Sequence, residues 1–349
     1  MTTSEHFARH TEYSFERESP VDCSRALSGF KQITRQFALF NVAFLSIGIL
    51  ELFAFVLFFS FLTQSTIFAF SLAALFFTAF TYFVLLFYLQ AKKPQQLIDL
   101  RSAFIQSCQA AFPMEKGTKE FHATLSYALQ QLLGALHGLE YRYYSLPAFF
   151  ETLGPLMEKF SAWAHWKDLH QMKEILLLMI IKEQIDLVKL QPTDLQSHAS
   201  LASAYASLAK LYLDPRKLHP EIEYAWISPH YSSKEMGHLF KTATLHAIEE
   251  LKILHSYAPG DLRVHAQLAS LYHSIEMPQE EMRAYEAIIH IAPHDQEALF
   301  RLGVLYFEHG RSADALRLYE RLQQIGSPKA EELISYYDAT LESLLNARI

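Results

Sequence analysis

The sequence predicts an all-α chain: a transmembrane helical hairpin, then a stack of paired helices (an α-solenoid) with a C-terminal capping helix. Three observations carry this expectation. Between residues 37 and 91 the only side chain charged at neutral pH is Glu51, a stretch too long and too apolar on every face for a soluble helix pair. Beyond Pro94 the apolar residues recur at helical spacing, with no Asn-Gly or Asp-Gly hairpin turn. Prolines then punctuate the chain with a period: Pro259 and Pro293 are 34 apart, Pro293 and Pro328 are 35 apart, and Pro192 stands 67 before Pro259.

Composition narrows the function classes. Of 349 residues, 51% are hydrophobic and only 19% charged, with 27 Phe against 11 Gly, which excludes a disordered or collagen-like chain and argues against an ordinary soluble protein. Net charge is -7 and unevenly placed. Residues 1–36 balance five basic against five acidic side chains, Lys92 and Lys93 follow the apolar stretch, and the rest of the chain is acidic. An acidic domain with no basic stripe excludes nucleic acid as the expected partner. Cys23 and Cys108 lie 85 residues apart in dissimilar surroundings, so no disulfide framework is expected and a reducing compartment fits.

The polar N-terminal segment 1–36 is expected to be disordered and cytosolic. At 1.5 Å per residue a span takes about 20 residues, so 37–91 holds two, at 37–62 and 67–89, divided at Thr63-Gln64-Ser65-Thr66. Arg25, Lys31 and Arg35 precede the first span and Lys92 and Lys93 close the second, while the turn is uncharged. The positive-inside rule then puts both termini in the cytosol, and the expected location is an integral membrane protein of a bacterial inner membrane. Glu51 falls near the middle of the first span, where a carboxylate costs about 2.5–3.5 kcal/mol. It reads either as a proton or ion relay or as a hydrogen bond between helices or subunits. Ala69, Ala73, Ala74, Thr78 and Ala79 offer a close-packing face on the second span, for the hairpin itself or for a homo-oligomer.

Residues 94–194 read as helices with degenerate repeats, and 195–328 as repeats proper. In the unit ending at Pro328, Leu299, Leu302, Gly303, Tyr306, Gly310, Ala315 and Tyr319 stand in an order and spacing that resemble the tetratricopeptide repeat family. Gly303 and Ala315 are the small residues expected to let the two helices of the pair approach. The preceding unit repeats Leu268, Ala269, Tyr272, Tyr285 and Pro293, but places Glu281 where the family prefers alanine, which implies a looser pair. Upstream, Leu201, Ala202 and Tyr205 look like a first helix, and Ala247, Leu251 and Leu254 like its second. Between them, 214–236 is an insertion with Pro215, Pro220 and Pro229 among Tyr224, Trp226 and Tyr231. It reads as a cover for an exposed helix face or as a binding loop. The segment 329–349 is the expected cap.

Residue patterns for catalysis are missing: there is no Gly-x-Ser-x-Gly elbow, phosphate-cradling glycine loop or dinucleotide fingerprint. Seventeen histidines include no His-Glu-x-x-His, and the pairs His165 with His170 and His290 with His294 lack an obvious ligand set. No enzyme, metal or cofactor is expected. The tetratricopeptide resemblance implies instead a ligand face on the first helix of each unit: Arg263, Ala266, Ser270 and His273, then Glu297, Phe300, Val304 and Phe307, with Gln267 and Arg301 beside them. The Lys and Asn pattern with which such domains hold chaperone carboxylate tails is absent, so an extended or helical peptide with apolar anchors is implied. Phe300 and Phe307 are either those anchors or buried by neighbouring helices.

The expected function is a membrane-anchored scaffold or adaptor with a protein or peptide partner. The hairpin with its small turn and both ends on one side also resembles the inclusion membrane proteins of chlamydiae, which implies a secreted bacterial protein with a host partner. A third reading, from a different class, is a subunit of a membrane enzyme or transporter using Glu51.

Overall fold

The computed structural model describes residues 23–57, 59, 67–112, 114–139, 143, 154–218 and 228–346. Among them every regular element is helical. The chain divides into two compact units, the first reaching Leu190 and the second beginning at Gln191.

The first unit holds α1 (Cys23–Leu57), α2 (Ile67–Ala111), α3 (Lys119–Ala135) and α4 (Gly154–Leu190). At 35 and 45 residues, α1 and α2 extend about 52 and about 67 Å, well beyond the ~30 Å of a bilayer's hydrocarbon core. Both are long and apolar enough to cross a membrane, and their most apolar windows contain no buried residue. The overshoot is what the sequence reading missed. Residues 23–36 are helical rather than disordered because Ala26, Phe30 and Thr34 recur on one face and are buried. Nor does the chain break after Ala91: α2 runs straight through Pro94. Proline in a helix interior removes one hydrogen bond, and packing on both sides of it holds the helix. These extensions share a core with α3 and α4, built from Phe30, Leu97, Phe104, Leu129, Leu169, Met172 and Leu176.

The second unit is a stack of antiparallel pairs. Helices α5 (Leu195–Tyr212) and α6 (Lys234–Tyr257) form one pair, α7 (Leu262–Ser274) and α8 (Pro278–Ile291) the next, α9 (Gln296–Glu308) and α10 (Ser312–Gln324) the third, and α11 (Lys329–Asn346) closes the stack. Each of the first two interior clusters draws on more than one pair. Ala202, Ile248, Leu251 and Leu254 meet Val264, Leu268, Ala269 and Tyr272, and Met282, Ile288 and Ile289 meet Leu299, Leu302, Ala315 and Leu333. Stacking is therefore what buries the apolar faces.

A short motif starts every pair: Pro192-Thr-Asp194, Pro259-Gly-Asp261 and Pro293-His-Asp295. Each aspartate caps the following helix, accepting from the backbone N–H of Gln196, Arg263 or Glu297. In the first two pairs a histidine six residues after the proline donates from Nε2 to the proline carbonyl, His198 to Pro192 and His265 to Pro259, both at 2.9 Å. In the third pair Leu299 takes that position, and Arg321 Nη2 donates to the Pro293 carbonyl at 2.8 Å. The left-handed turn between helices recurs as well. Gly310 has φ 72°, and Glu276, 34 residues earlier, takes φ 58° without glycine's freedom.

Two local expectations change. Gly303 faces the cap rather than the other helix of its own pair, since a Cβ there would lie 2.7 Å from Leu333 Cδ2. The insertion is shorter than 214–236, because Pro215–Leu218 forms one helical turn, Pro229–Ser232 a 3-10 turn, and Ser233 caps α6.

His198 is expected to make the second unit's stability pH-dependent. Burial lowers its pKa, but Nδ1 lies 2.6 Å from Glu250 Oε2 and the Pro192 carbonyl holds the other nitrogen, and the net shift is upward from 6.5. A raised folded pKa means a contribution fully present below 6.5 and lost as pH climbs through the folded value. His198→Leu, the residue found six after the proline in the third pair, is expected to cost about 1.5–3 kcal/mol at about pH 6 and clearly less at about pH 8.5. Melting curves of both proteins at the two pH values measure it, and a pH-independent difference refutes the charged pair.

Candidate partner-binding surface

In the second unit the first helices of the pairs present polar side chains opposite their buried faces. On α7, Val264, His265, Leu268, Ala269 and Tyr272 point inward, which leaves Arg263, Ala266, Gln267, Ser270 and His273 exposed. On α9, Ala298, Leu299, Leu302 and Gly303 are buried, while Glu297 and Arg301 are exposed and Phe300 and Val304 half-buried. The 34-residue repeat places Arg263 over Glu297, and Gln267 over Arg301, at equivalent positions.

Charge is organised on this face. Glu297 receives Arg301 Nε at 2.8 Å and the ammonium of Lys329 from α11, and these two hydrogen bonds, that of Lys329 first, hold its carboxyl below the usual range. Lys329 also lies 5.2 Å from the Phe300 ring centroid. Glu281, at the position where a looser pair was expected, is buried and sits 3.2 Å from His273 Nδ1. Burial raises its pKa, and the neighbouring His273 opposes the rise. Glu308 accepts from Tyr336 at 2.6 Å, which pushes the phenol up to about 12. Lys329 and Tyr336 escaped the sequence reading because the cap departs from the repeat pattern that located the others, and Glu308, the last residue of α9, because its partner Tyr336 lies on that cap.

Phe307 is 7% exposed, and its ring lies 4.5 Å from that of Tyr337 in a tilted contact. Tyr231 is half-buried in the 3-10 turn; Tyr224 and Trp226 lie outside the described residues.

Two polar arrangements occur in the first unit. Within the hairpin, Thr78 Oγ1 donates to Glu51 Oε1 at 3.0 Å and Tyr82 donates to Asn41 Oδ1 at 3.0 Å, so the α1–α2 pair carries its own polar contacts. At the hairpin's base, Lys93 Nζ sits 2.9 Å from both oxygens of Asp168 and 3.7 Å from the Phe37 ring centroid, with Lys93 and Asp168 side chains only 12% and 7% exposed. His165 stacks on Tyr143 at 3.8 Å, and Tyr143 is bonded to Thr34 and to the Lys31 carbonyl. Burial first, then Lys93, lowers His165 to about 4 against the opposing pull of Asp168. Lys93, read from sequence as a charge that orients the hairpin, thus also ties α2 to Asp168 on α4. Among the described residues no three His, Cys, Asp or Glu side chains gather as a metal ligand set.

No family model matches the chain, and no curated protein matches it. Among solved structures it is similar to the assembly chaperone of RpL4 (Acl4), residues 1–338, at 14% identity and a TM-score of 0.28, over 73% of this chain and 99% of that chain. The chain is an all-helical protein whose second unit is a stack of helix pairs.

Proposed function

We propose that this protein is a membrane-anchored scaffold: α1 and α2 cross a bilayer as a hairpin with both termini cytosolic, and the first-helix face of a tetratricopeptide-type stack holds a protein or peptide partner. The observation that carries the binding reading is the regular exposure of Arg263, Gln267, Ser270 and His273, then Glu297 and Arg301, on helices whose opposite sides are buried. Such a face offers charged and hydrogen-bonding groups at a fixed repeat spacing, with Phe300 as the half-buried apolar contact. Phe307 is left out of the face because Tyr337 covers it.

Only Nε of Arg301 has a partner among the described residues, so its other nitrogens are available to a carboxylate or carbonyl. A charge-assisted bond of that kind is worth about 1.5–3 kcal/mol. Arg301→Glu is therefore expected to weaken capture of partner protein by the full chain, extracted in detergent, about tenfold or more, with helicity and melting unchanged. Phe307→Ala is expected to act through stability, by about 3–5 kcal/mol. Wild-type capture by folded Arg301→Glu and Phe300→Ala proteins would overturn the assignment of the face.

The membrane reading rests on the outward apolar surface of α1 and α2, where Leu45, Leu50, Phe53, Phe70, Phe76 and Phe87 are all exposed. Lipid is the environment that satisfies such a surface. Gln64 lies outside the described residues, yet its side of the bilayer is measurable. With both native cysteines changed to serine, a cysteine at Gln64 is expected to react with an impermeant thiol reagent only from the side opposite the termini. Reaction from the same side as a cysteine near the C-terminus would sink the hairpin topology.

A further inference from the structure

The antiparallel register of α1 and α2 brings the chain's two cysteines to the same end of the pair. Gly29 and Leu100 fix that register, since a Cβ on Gly29 would lie 2.8 Å from Leu100 Cδ1. Lys93 on Phe37 and Thr78 on Glu51 continue it along the helices. Six residues back along α1 from Gly29 lies Cys23, and eight residues on along α2 from Leu100 lies Cys108. At 1.5 Å per residue the two positions differ in height by only about 3 Å.

The helix faces agree too. Cys23 extends the buried stripe of Ala26, Phe30 and Thr34, and Cys108 extends that of Leu97 and Phe104, at helical spacing. Cys108 is 4% exposed and Cys23 half-buried. Their proximity is also felt electrostatically: burial first, and then the neighbouring Cys23, pushes the Cys108 thiol up to about 11. Neither cysteine is disulfide-bonded.

We propose that Cys23 and Cys108 form a thiol–disulfide exchange site that closes into an intramolecular disulfide on meeting a small disulfide of the glutathione class. The more exposed Cys23 reacts first. Its thiolate attacks one sulfur of glutathione disulfide, the S–S bond breaks, and one glutathione leaves as thiolate. Cys108 then gives up its proton and attacks the Cys23 sulfur, expelling the second glutathione. Two protein thiols are oxidised, one glutathione disulfide is reduced to two thiols, and the protons released by the cysteines end on those thiols. The product joins the start of α1 to the end of α2. Excess reduced glutathione reverses it, as expected of a cysteine pair on the cytosolic side.

The full chain in detergent, incubated with oxidised glutathione and acid-quenched, is the material for the test. Intact mass should fall by two hydrogens, and a non-reduced digest should yield one peptide pair linking Cys23 to Cys108. Cys108→Ser should stop at the mixed disulfide and gain one glutathione, whereas Cys23→Ser should stay unmodified because Cys108 is buried. The proposal is overturned if the wild-type chain accumulates the mixed disulfide, if the bond joins two chains, or if no thiol reacts. Each of these outcomes is read on the wild-type protein, without relying on a variant that folds.

Discussion

Asp168→Ala is expected to destabilise the first unit by about 3–5 kcal/mol, the cost of leaving a buried charge without its partner. Lys93 and Asp168 meet through two 2.9 Å contacts, with the ammonium also over the Phe37 ring. Neither side chain is more than 12% exposed, so water cannot replace the lost carboxylate. The same reasoning predicts a rescue. Lys93→Met with Asp168→Leu removes both charges and fills the space, and should recover most of the loss, because a buried pair is worth little more than a well-packed apolar pair. Thermal unfolding in detergent, followed by circular dichroism, compares the three proteins. If Asp168→Ala melts with wild type, the helix α4 is not seated on the hairpin's base.

Gly303→Leu is expected to cost about 1–3 kcal/mol by overpacking, at the contact between the last pair and the cap. Leu333 is fully buried, and its methyl groups already occupy the space a Cβ on residue 303 would enter. Leu333→Ala in the same chain should return part of the loss by making room, so the two substitutions together should be less damaging than their sum. Gly303→Ala should be mild, since the atom it meets is the flexible end of Leu333. Urea unfolding of the four proteins gives the coupling. Strict additivity would show that α11 does not pack on Gly303.

Much of the fold is legible in local sequence because helices declare themselves over short range. The apolar run of 37–91 and the proline spacing of 34 and 35 residues are patterns along the chain, and they mark where helices form and where they end. Arg263, Gln267, Ser270, His273, Glu297 and Arg301 came instead from what the tetratricopeptide resemblance implies, and all six are exposed on their helices. Pro94 shows the limit of such reading. A proline is a breaker by its own chemistry, yet here the helix continues, because Lys93 and Leu97 on either side of it are held by α4 and the unit's core.

What the sequence by itself determined is therefore the helical class, the apolar hairpin and the repeat register, each a property of spacing along one chain segment. Only the tertiary structure decided which residues meet across distant segments. It paired Lys93 with Asp168, covered Phe307 with Tyr337, set Leu333 against Gly303 and brought Cys23 beside Cys108. The physical reason is that a helix fixes which residues share a face, but not which other helix covers that face. That choice is made by packing, where close approach, burial and charge pairing among remote side chains compete at once.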